Sequence, residues 1–378
     1  MRKIIRNAIL FGSLFFIGLL TDAFSHPAWG IVVDASKQIY FTDLETIYKI
    51  DSEGKLSIFR AGVSGRHIHD LSIDTDGIIY GWENVYQPQG EKHLRAFWKM
   101  SPKGEFTGLV SLTENPPSGM SIWRDAGGST YAVEPWNNEK KESKIIKRTT
   151  DGKTSLFAGG KHGYLDGMKD KAEFGGVMDM AFGKDNAIYL TDDNRIRRIE
   201  KAGLVKTIYS DEAAAKNQKN SNLSSRLYGL DVDKDNNVLA ADFGNSRVLK
   251  INSDGAVSTF LSSEKDWSPL GVAIFGDEVY VLEGRPFTAP SQSGVRVIKV
   301  SATGKSTVIA NLEDRNKRIE NPNSNAANQF SPIEEEKNLS GDMDTISVKS
   351  TANPIGSYGI LMAAGIAFFA LIILVRKK

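Results

Sequence analysis

One unit of about fifty residues recurs six times in this chain, and no other feature restricts its fold as much. Six glycines mark it, Gly54, Gly104, Gly152, Gly203, Gly255 and Gly304, at spacings of 50, 48, 51, 52 and 49. An apolar–basic step precedes each glycine: Tyr48-Lys49, Trp98-Lys99, Ile146-Lys147, Arg197-Arg198, Leu249-Lys250 and Ile298-Lys299, with Arg197 breaking the apolar rule once. Earlier in each unit a short run ends in an acid, Asp43, Glu83, Glu134, Asp192, Asp242 or Glu283. Each unit opens on another apolar run, as in Gly30-Ile-Val-Val-Asp34, Asp70-Leu-Ser-Ile-Asp74 and Ser121-Ile-Trp-Arg-Asp125, and a fourth run follows the glycine. Four short β-rich runs separated by Gly, Asp and Asn turns make a four-stranded antiparallel blade. One such sheet cannot bury both faces alone, whereas six stacked radially can. The expected fold is therefore all-β, a six-bladed β-propeller over residues 26–312. An open β-solenoid is the competing architecture, but its coils are shorter than this unit. All six units are complete in the same phase, so no strand borrowed from the other terminus is needed to close the ring.

The fourth and fifth units add a specific resemblance. Phe157-Ala-Gly-Gly-Lys-His-Gly-Tyr-Leu-Asp-Gly-Met-Lys-Asp-Lys-Ala-Glu-Phe174 resembles the linker that precedes NHL repeats, and Ile188-Tyr-Leu-Thr-Asp192 and Ala241-Asp-Phe-Gly-Asn-Ser-Arg-Val248 continue the pattern. The other four units share only the skeleton. The resemblance implies a six-bladed propeller that binds proteins, nucleic acid or small ligands, with a minority of enzymes.

The two ends read as export and anchoring. Arg2, Lys3 and Arg6 precede an uncharged, mostly apolar run from Ala8 to Leu20, and Ala23-Phe24-Ser25 offers small residues at cleavage spacing. Residues 1–25 are thus expected to be a signal peptide, with an uncleaved signal anchor as the alternative. Tyr358 to Val375 is apolar and uncharged, followed by Arg376-Lys377-Lys378. Residues 357–378 are expected to form a transmembrane helix with a basic cytoplasmic tail, which places the propeller on the extracytoplasmic side. Residues 313–356, rich in Asn, Ser, Glu and Lys, are expected to be a disordered stalk. Setting aside residues 1–25 (net +2) and the last three (net +3) takes the formal charge from +1 to −4, which argues against nucleic acid as a partner. The chain has no Cys, so thiol nucleophiles and thiolate metal sites are excluded.

Strand order assigns the faces. If the first strand of a blade starts on the top, the first-to-second and third-to-fourth turns lie on the bottom, and those turns are short throughout. The long connections, 62–68, 84–94, 113–120, 135–143, 159–176, 211–227 and 284–294, share the other face, where a rigid scaffold usually carries function. A protein or small-ligand partner is expected there. The six strand-end acids are expected to be structural acceptors of loop N–H groups, since a site seldom needs identical groups in every blade. Irregular residues where the first strands begin, at the mouth of the axial channel, are the candidate ligand-binding set: His26, Arg66, His67, His69, Asp70, Asp179, Arg226 and Tyr228. Their histidines leave a divalent metal or proton-transfer role open. No cofactor is expected.

The enzyme alternative is a metal-dependent lactonase of the gluconolactonase type, a related six-bladed scaffold. That resemblance implies ligands at positions that here read His26 or Ala28, Met178 and Tyr228, which offer poor ligands for a hard divalent cation. Asp179 lies one position away, which in a strand turns it to the other side. Binding rather than catalysis is the expected function.

Overall fold

The computed structural model describes residues 27–87, 90–134, 141–211, 226–285 and 294–312. The chain divides into two compact units, 1–327 and 328–378, of which the second lies wholly outside the described residues. The expected signal peptide, His26, the stalk and the C-terminal helix also lie outside them. Among the described residues no helix is long and apolar enough to cross a membrane.

The first unit is a six-bladed propeller of antiparallel blades. Blade one is β1 (Ile31–Val33), β2 (Ile39–Thr42), β3 (Ile47–Ile50) and β4 (Leu56–Arg60); blade two is β5 (His67–Ile73), β6 (Ile79–Gln87), β7 (Lys92–Met100) and β8 (Phe106–Thr113). Blade three holds β9 (Thr130–Glu134), β10 (Glu142–Arg148) and β11 (Thr154–Lys161). Blade four holds β12 (Gly167–Met168), β13 (Val177–Phe182), β14 (Ile188–Asp192), β15 (Arg195–Ile199) and β16 (Leu204–Ser210). Blade five is β17 (Leu227–Val232), β18 (Val238–Asp242), β19 (Arg247–Ile251) and β20 (Val257–Ser262), and blade six is β21 (Ser268–Phe275), β22 (Glu278–Gly284), β23 (Val295–Val300) and β24 (Ser306–Leu312). The first strands touch one another around the axis: β1 meets both β5 and β21, and β17 meets β13 and β21. Blade one thus packs directly on blade six, and among the described residues no sheet borrows a strand from the other terminus.

Two blades depart from the expected four strands. In blade three the innermost segment makes a single bridge, Arg124 to Thr130, beside a backbone bond from Tyr131 N to Trp123 O of 3.0 Å. The Ser121 hydroxyl accepts the Trp123 N–H at 3.2 Å, so a local turn competes with the ladder. Blade four gains a fifth strand, because β12 from the 159–176 connection pairs with the outer edge of β16.

The cores lie between neighbouring blades. Tyr40, Ile68, Leu71 and Trp98 fill the seam of blades one and two, and Leu239, Val248, Val272 and Val281 that of five and six. Blades one, two, three and five are also tied at the short-turn face by the acid at the end of the first run, and blade four by Asp185 just beyond it. Asp34 accepts the N–H groups of Ser36 and Gln38 at 2.9 and 2.8 Å, and Asp74 and Asp233 repeat this with Asp76, Ile78, Asp235 and Asn237. The tyrosine of the second strand donates to the same acid in Tyr40–Asp34, Tyr80–Asp74, Tyr131–Asp125 and Tyr189–Asp185. The basic residue of the apolar–basic step completes the unit, as in Lys147–Asp125 at 3.2 Å and Arg198–Asp185 at 2.8 Å. In blades three and four the Tyr, acid and Lys/Arg positions are therefore one polar clasp rather than three separate regularities.

Candidate functional site at the axial mouth

Each first strand runs from the long-loop face inward, and the first position of its apolar run reads Gly30, Asp70, Ser121, Asp179, Gly229 and Gly271 around the ring. Where it is glycine, neighbouring backbones come into contact: a Cβ on Gly30 would lie 2.7 Å from Leu71 N, and one on Gly229 2.8 Å from the Gly271 Cα. Where it is aspartate, the pairing is bulged beside it, between Ile68 and Leu71 and between Val177 and Asp179, as it also is beside Gly229 and Gly271. Both carboxylates then reach the same donor. Trp123 Nε1 of blade three lies 3.0 Å from Asp70 Oδ2 and 3.1 Å from Asp179 Oδ1.

The remaining oxygens are engaged by backbone. Asp70 Oδ1 accepts Leu71 N at 2.8 Å; Asp179 accepts Met180 N at 2.7 Å and Leu230 N of blade five at 2.8 Å. Asp231 extends the series to blade six through Ile274 N at 2.8 Å. Burial raises the Asp70 carboxyl to about 7, against the pull of the Leu71 N–H and the indoles of Trp123 and Trp29. Burial, then the charge of Asp70, raises Asp179 well above the usual carboxylate range, and burial raises Asp231 to about 6.

Above this layer an aromatic arc crosses the mouth. Trp29 of blade one stacks on Tyr228 of blade five with centroids 5.7 Å apart, and it faces the His69 ring at 5.6 Å. His69 in turn faces Trp82 at 5.5 Å, and Tyr228 meets Phe243 edge-on at 5.4 Å. The His69 Nδ1 lies 3.3 Å from Pro27 O, and Trp29 N bonds to His69 O at 2.7 Å. Trp29, His69 and Tyr228 are only 5–6% exposed, so the arc is a packed platform.

The structure thus brings His69, Asp70, Asp179 and Tyr228 together and places Arg66, His67 and Arg226 around them. The His67 and His69 rings meet edge-on at 6.1 Å, on one side of β5 rather than on opposite sides. Arg66 turns outward to Glu83 at 3.3 Å, and the exposed Arg226 lies beside the Tyr228 hydroxyl. Among the described residues no three His, Asp or Glu side chains are grouped to hold a metal ion. Met178 packs on the apolar cluster of Trp29 and Tyr228, and Asp179 spends its oxygens on N–H donors.

Trp29, Trp82 and Trp123 were not among the residues the sequence singled out. The signal for Trp123 was present: the third position of the first-strand run is Val32, Ser72, Ala181, Asp231 or Ala273 in the other blades, and only blade three puts an indole there.

The strand-end acids are occupied structurally. Asp43 accepts Glu45 N and Thr46 N, Glu134 accepts Gly119 N at 2.7 Å, Asp192 holds Arg197, Asp242 holds Arg247 and Glu283 holds Arg296. Glu83 is bound by Arg60 as well as Arg66. Two of the long connections are not open loops. Residues 84–94 continue the β6–β7 ladder out to Gln87–Lys92, and 159–176 is bound down by Arg197. Residues 135–140, 212–225 and 286–293 of three others lie outside the described residues.

No family model matches the chain, and no curated protein matches it in sequence. Solved structures do. Virginiamycin B lyase from Staphylococcus aureus matches at 16% identity and TM-score 0.44, over 75% of this chain and 83% of that one. The PQQ-bound aldose sugar dehydrogenase from Streptomyces coelicolor matches at 13% and 0.48, over 74% and 96%. A gluconolactonase from Xanthomonas campestris matches at 12% and 0.46, over 69% and 84%. At these identities and TM-scores the likenesses carry no argument about what this chain does.

Proposed function

We propose that the chain is an exported, membrane-tethered binding module of NHL type whose partner, a protein or a small ligand, docks on the long-loop face at the axial mouth. The observation that supports this is the platform of Trp29, His69, Trp82 and Tyr228, drawn from blades one, two and five and flanked by Arg66 and Arg226. Tryptophan, tyrosine and arginine packed at the centre of a face are the residues that dominate binding energy at interfaces. The NHL assignment rests on the 157–174 motif and its continuation in the fifth unit.

The partner side is tested by photo-crosslinking in the cells that make the protein. A photoreactive residue at position 66 or 226 is expected to give adducts, while one at Lys103 or Asp254, on the short-turn face, gives none. Equal yields from the two faces, or adducts only from Lys103 and Asp254, would contradict the assignment.

Tethering is tested by truncation. The cut belongs after Leu312 and not before it, because Leu312 pairs with Val295 in the last strand and packs against the core. The shortened chain is expected in the soluble extracytoplasmic fraction and the full chain in the membrane pellet. A truncated protein that still sediments with membranes counts against residues 357–378 as the anchor.

A further inference from the structure

We propose that Asp70, Trp123 and Asp179 form a proton-operated clamp at the axis: one indole N–H and one shared proton hold blades two, three and four together, and loss of that proton loosens the seam.

The geometry carries the first half. A single N–H lies within 3.1 Å of oxygens from two carboxyl groups on different blades. Two ionised carboxylates converging on one donor repel each other in a site that excludes water. A carboxyl that keeps its proton instead becomes a donor to the other. Asp179 accepts the N–H groups of Met180, Leu230 and Trp123, and Asp70 those of Leu71 and Trp123 with the Trp29 indole beside it. One proton is therefore kept on the pair, since burial raises both carboxyls and the charge of Asp70 raises Asp179 further.

Among the described residues the surrounding elements bring no cation onto the pair. From β1 the neighbour is the neutral Trp29 indole. On β5, His69 is turned to Trp29, Trp82 and the Pro27 carbonyl. In blade three, Arg124 points away, with its guanidinium 4.2 Å over the Tyr80 ring and bonded to Gly128 O. From β17 the nearest charge is Asp231, which adds repulsion, while Arg226 sits at the Tyr228 hydroxyl. The run Ser268–Phe275 on β21 holds no ionisable side chain.

The sign follows from linkage. Asp70 is raised to about 7 in the folded protein, above a carboxylate's usual value near ~4, so folding takes up a proton between the two. The stabilisation is complete below about pH 4 and is lost as pH rises through about 7. Asp231, raised by burial to about 6, and Asp192, raised by burial to about 7, act in the same sense, so the clamp is isolated by comparison with a variant that keeps both.

The test uses the purified full chain and Asp70→Asn, whose amide imitates the protonated carboxyl. The wild type is expected to lose stability against the variant between about pH 4 and 7, at up to about tenfold in the folded-to-unfolded ratio per pH unit for one proton, and to level off above that. Trp123→Phe removes a donor that favours the charged form, so its loss of stability is expected at higher pH than in the wild type. A parallel measurement needs no variant. Hydrogen exchange, corrected for intrinsic rate, is expected to lose protection above pH 7 in peptides covering Leu71, Met180 and Leu230, but not in one covering Ile274. Parallel pH profiles for wild type and Asp70→Asn, or exchange that is independent of pH at Leu71 and Met180, would overturn the clamp.

Discussion

Arg197→Met is expected to remove about 3–5 kcal/mol of stability, the range found when one partner of a buried ion pair is deleted. The guanidinium is fully buried, and its two terminal nitrogens make four bonds. Nη1 donates to Asp192 at 2.9 Å and to Glu173 O at 3.0 Å; Nη2 donates to Leu165 O and Asp166, both at 3.0 Å. The ring of Phe174 lies 5.2 Å away on its face. Methionine fills much of the volume and satisfies none of this. Asp192 would be left buried with Gly175 N as its remaining donor, Glu173 O would lose the Nη1 bond, and Leu165 O would keep only Glu173 N. The loss would spread to β12, because the Leu165 and Asp166 contacts hold the segment that pairs with β16. Urea unfolding measures the energy, and protease cleavage between His162 and Gly175 reports the detached segment. A loss below about 1 kcal/mol, the usual size for a surface ion pair, would show that the clamp on this connection is not energetic. The double variant Arg197→Met with Asp192→Leu is expected to recover part of the loss, since replacing a buried pair by apolar groups is often neutral.

That one residue illustrates what the sequence makes legible. The period of the repeat, the four runs per unit and the acids all follow from local alternation and turn chemistry, and the structure reproduces them as blades. Arg197 stood out only as a break in the apolar–basic rule. Its partners lie 5, 24, 31 and 32 residues away, and no local pattern brings those four together. The same applies at the axis. Asp70 and Asp179 were readable as odd residues at the starts of first strands, but their convergence needs the indole of a third blade, 53 and 56 residues away. His67 and His69 stand two positions apart on β5, a spacing that strand alternation puts on one side, and their rings meet there. Blade three read as four strands because Ser121-Ile-Trp-Arg-Asp125 has strand composition, yet Trp123 is committed to the axis and the ladder is reduced to one bridge.

Gly271→Ala should be the most damaging single-methyl change in the ring, because it strikes the seam where the last blade meets the first. A Cβ there would lie 2.0 Å from the Trp29 carbonyl oxygen and 3.0 Å from the Ile31 side chain. Attractive contacts between heavy atoms lie at about 3.5–4.0 Å, so β21 and the start of β1 would have to part by more than an ångström. The obstructing atom is backbone, and no rotamer change can relieve it. Trp29 cannot simply follow, since its N–H is held by His69 O and its ring is stacked between His69 and Tyr228. Glycine also recurs at this position in blades five and one, where Gly229 faces Gly271 and Gly30 faces Leu71, so a displacement at the seam passes to both neighbours. The expected cost is above the ~1–3 kcal/mol of ordinary overpacking. Gly108→Ala is the control: it lies on the outer strand of blade two with nothing within 4 Å of a Cβ, and a change within about 0.5 kcal/mol is expected there. Thermal unfolding of the two variants side by side decides the matter. If Gly271→Ala unfolds at the same temperature as Gly108→Ala, the ring closes with more slack than this seam allows. If it unfolds far lower, with early protease cleavage in blades one and six, closure depends on direct backbone contact between the two ends of the propeller.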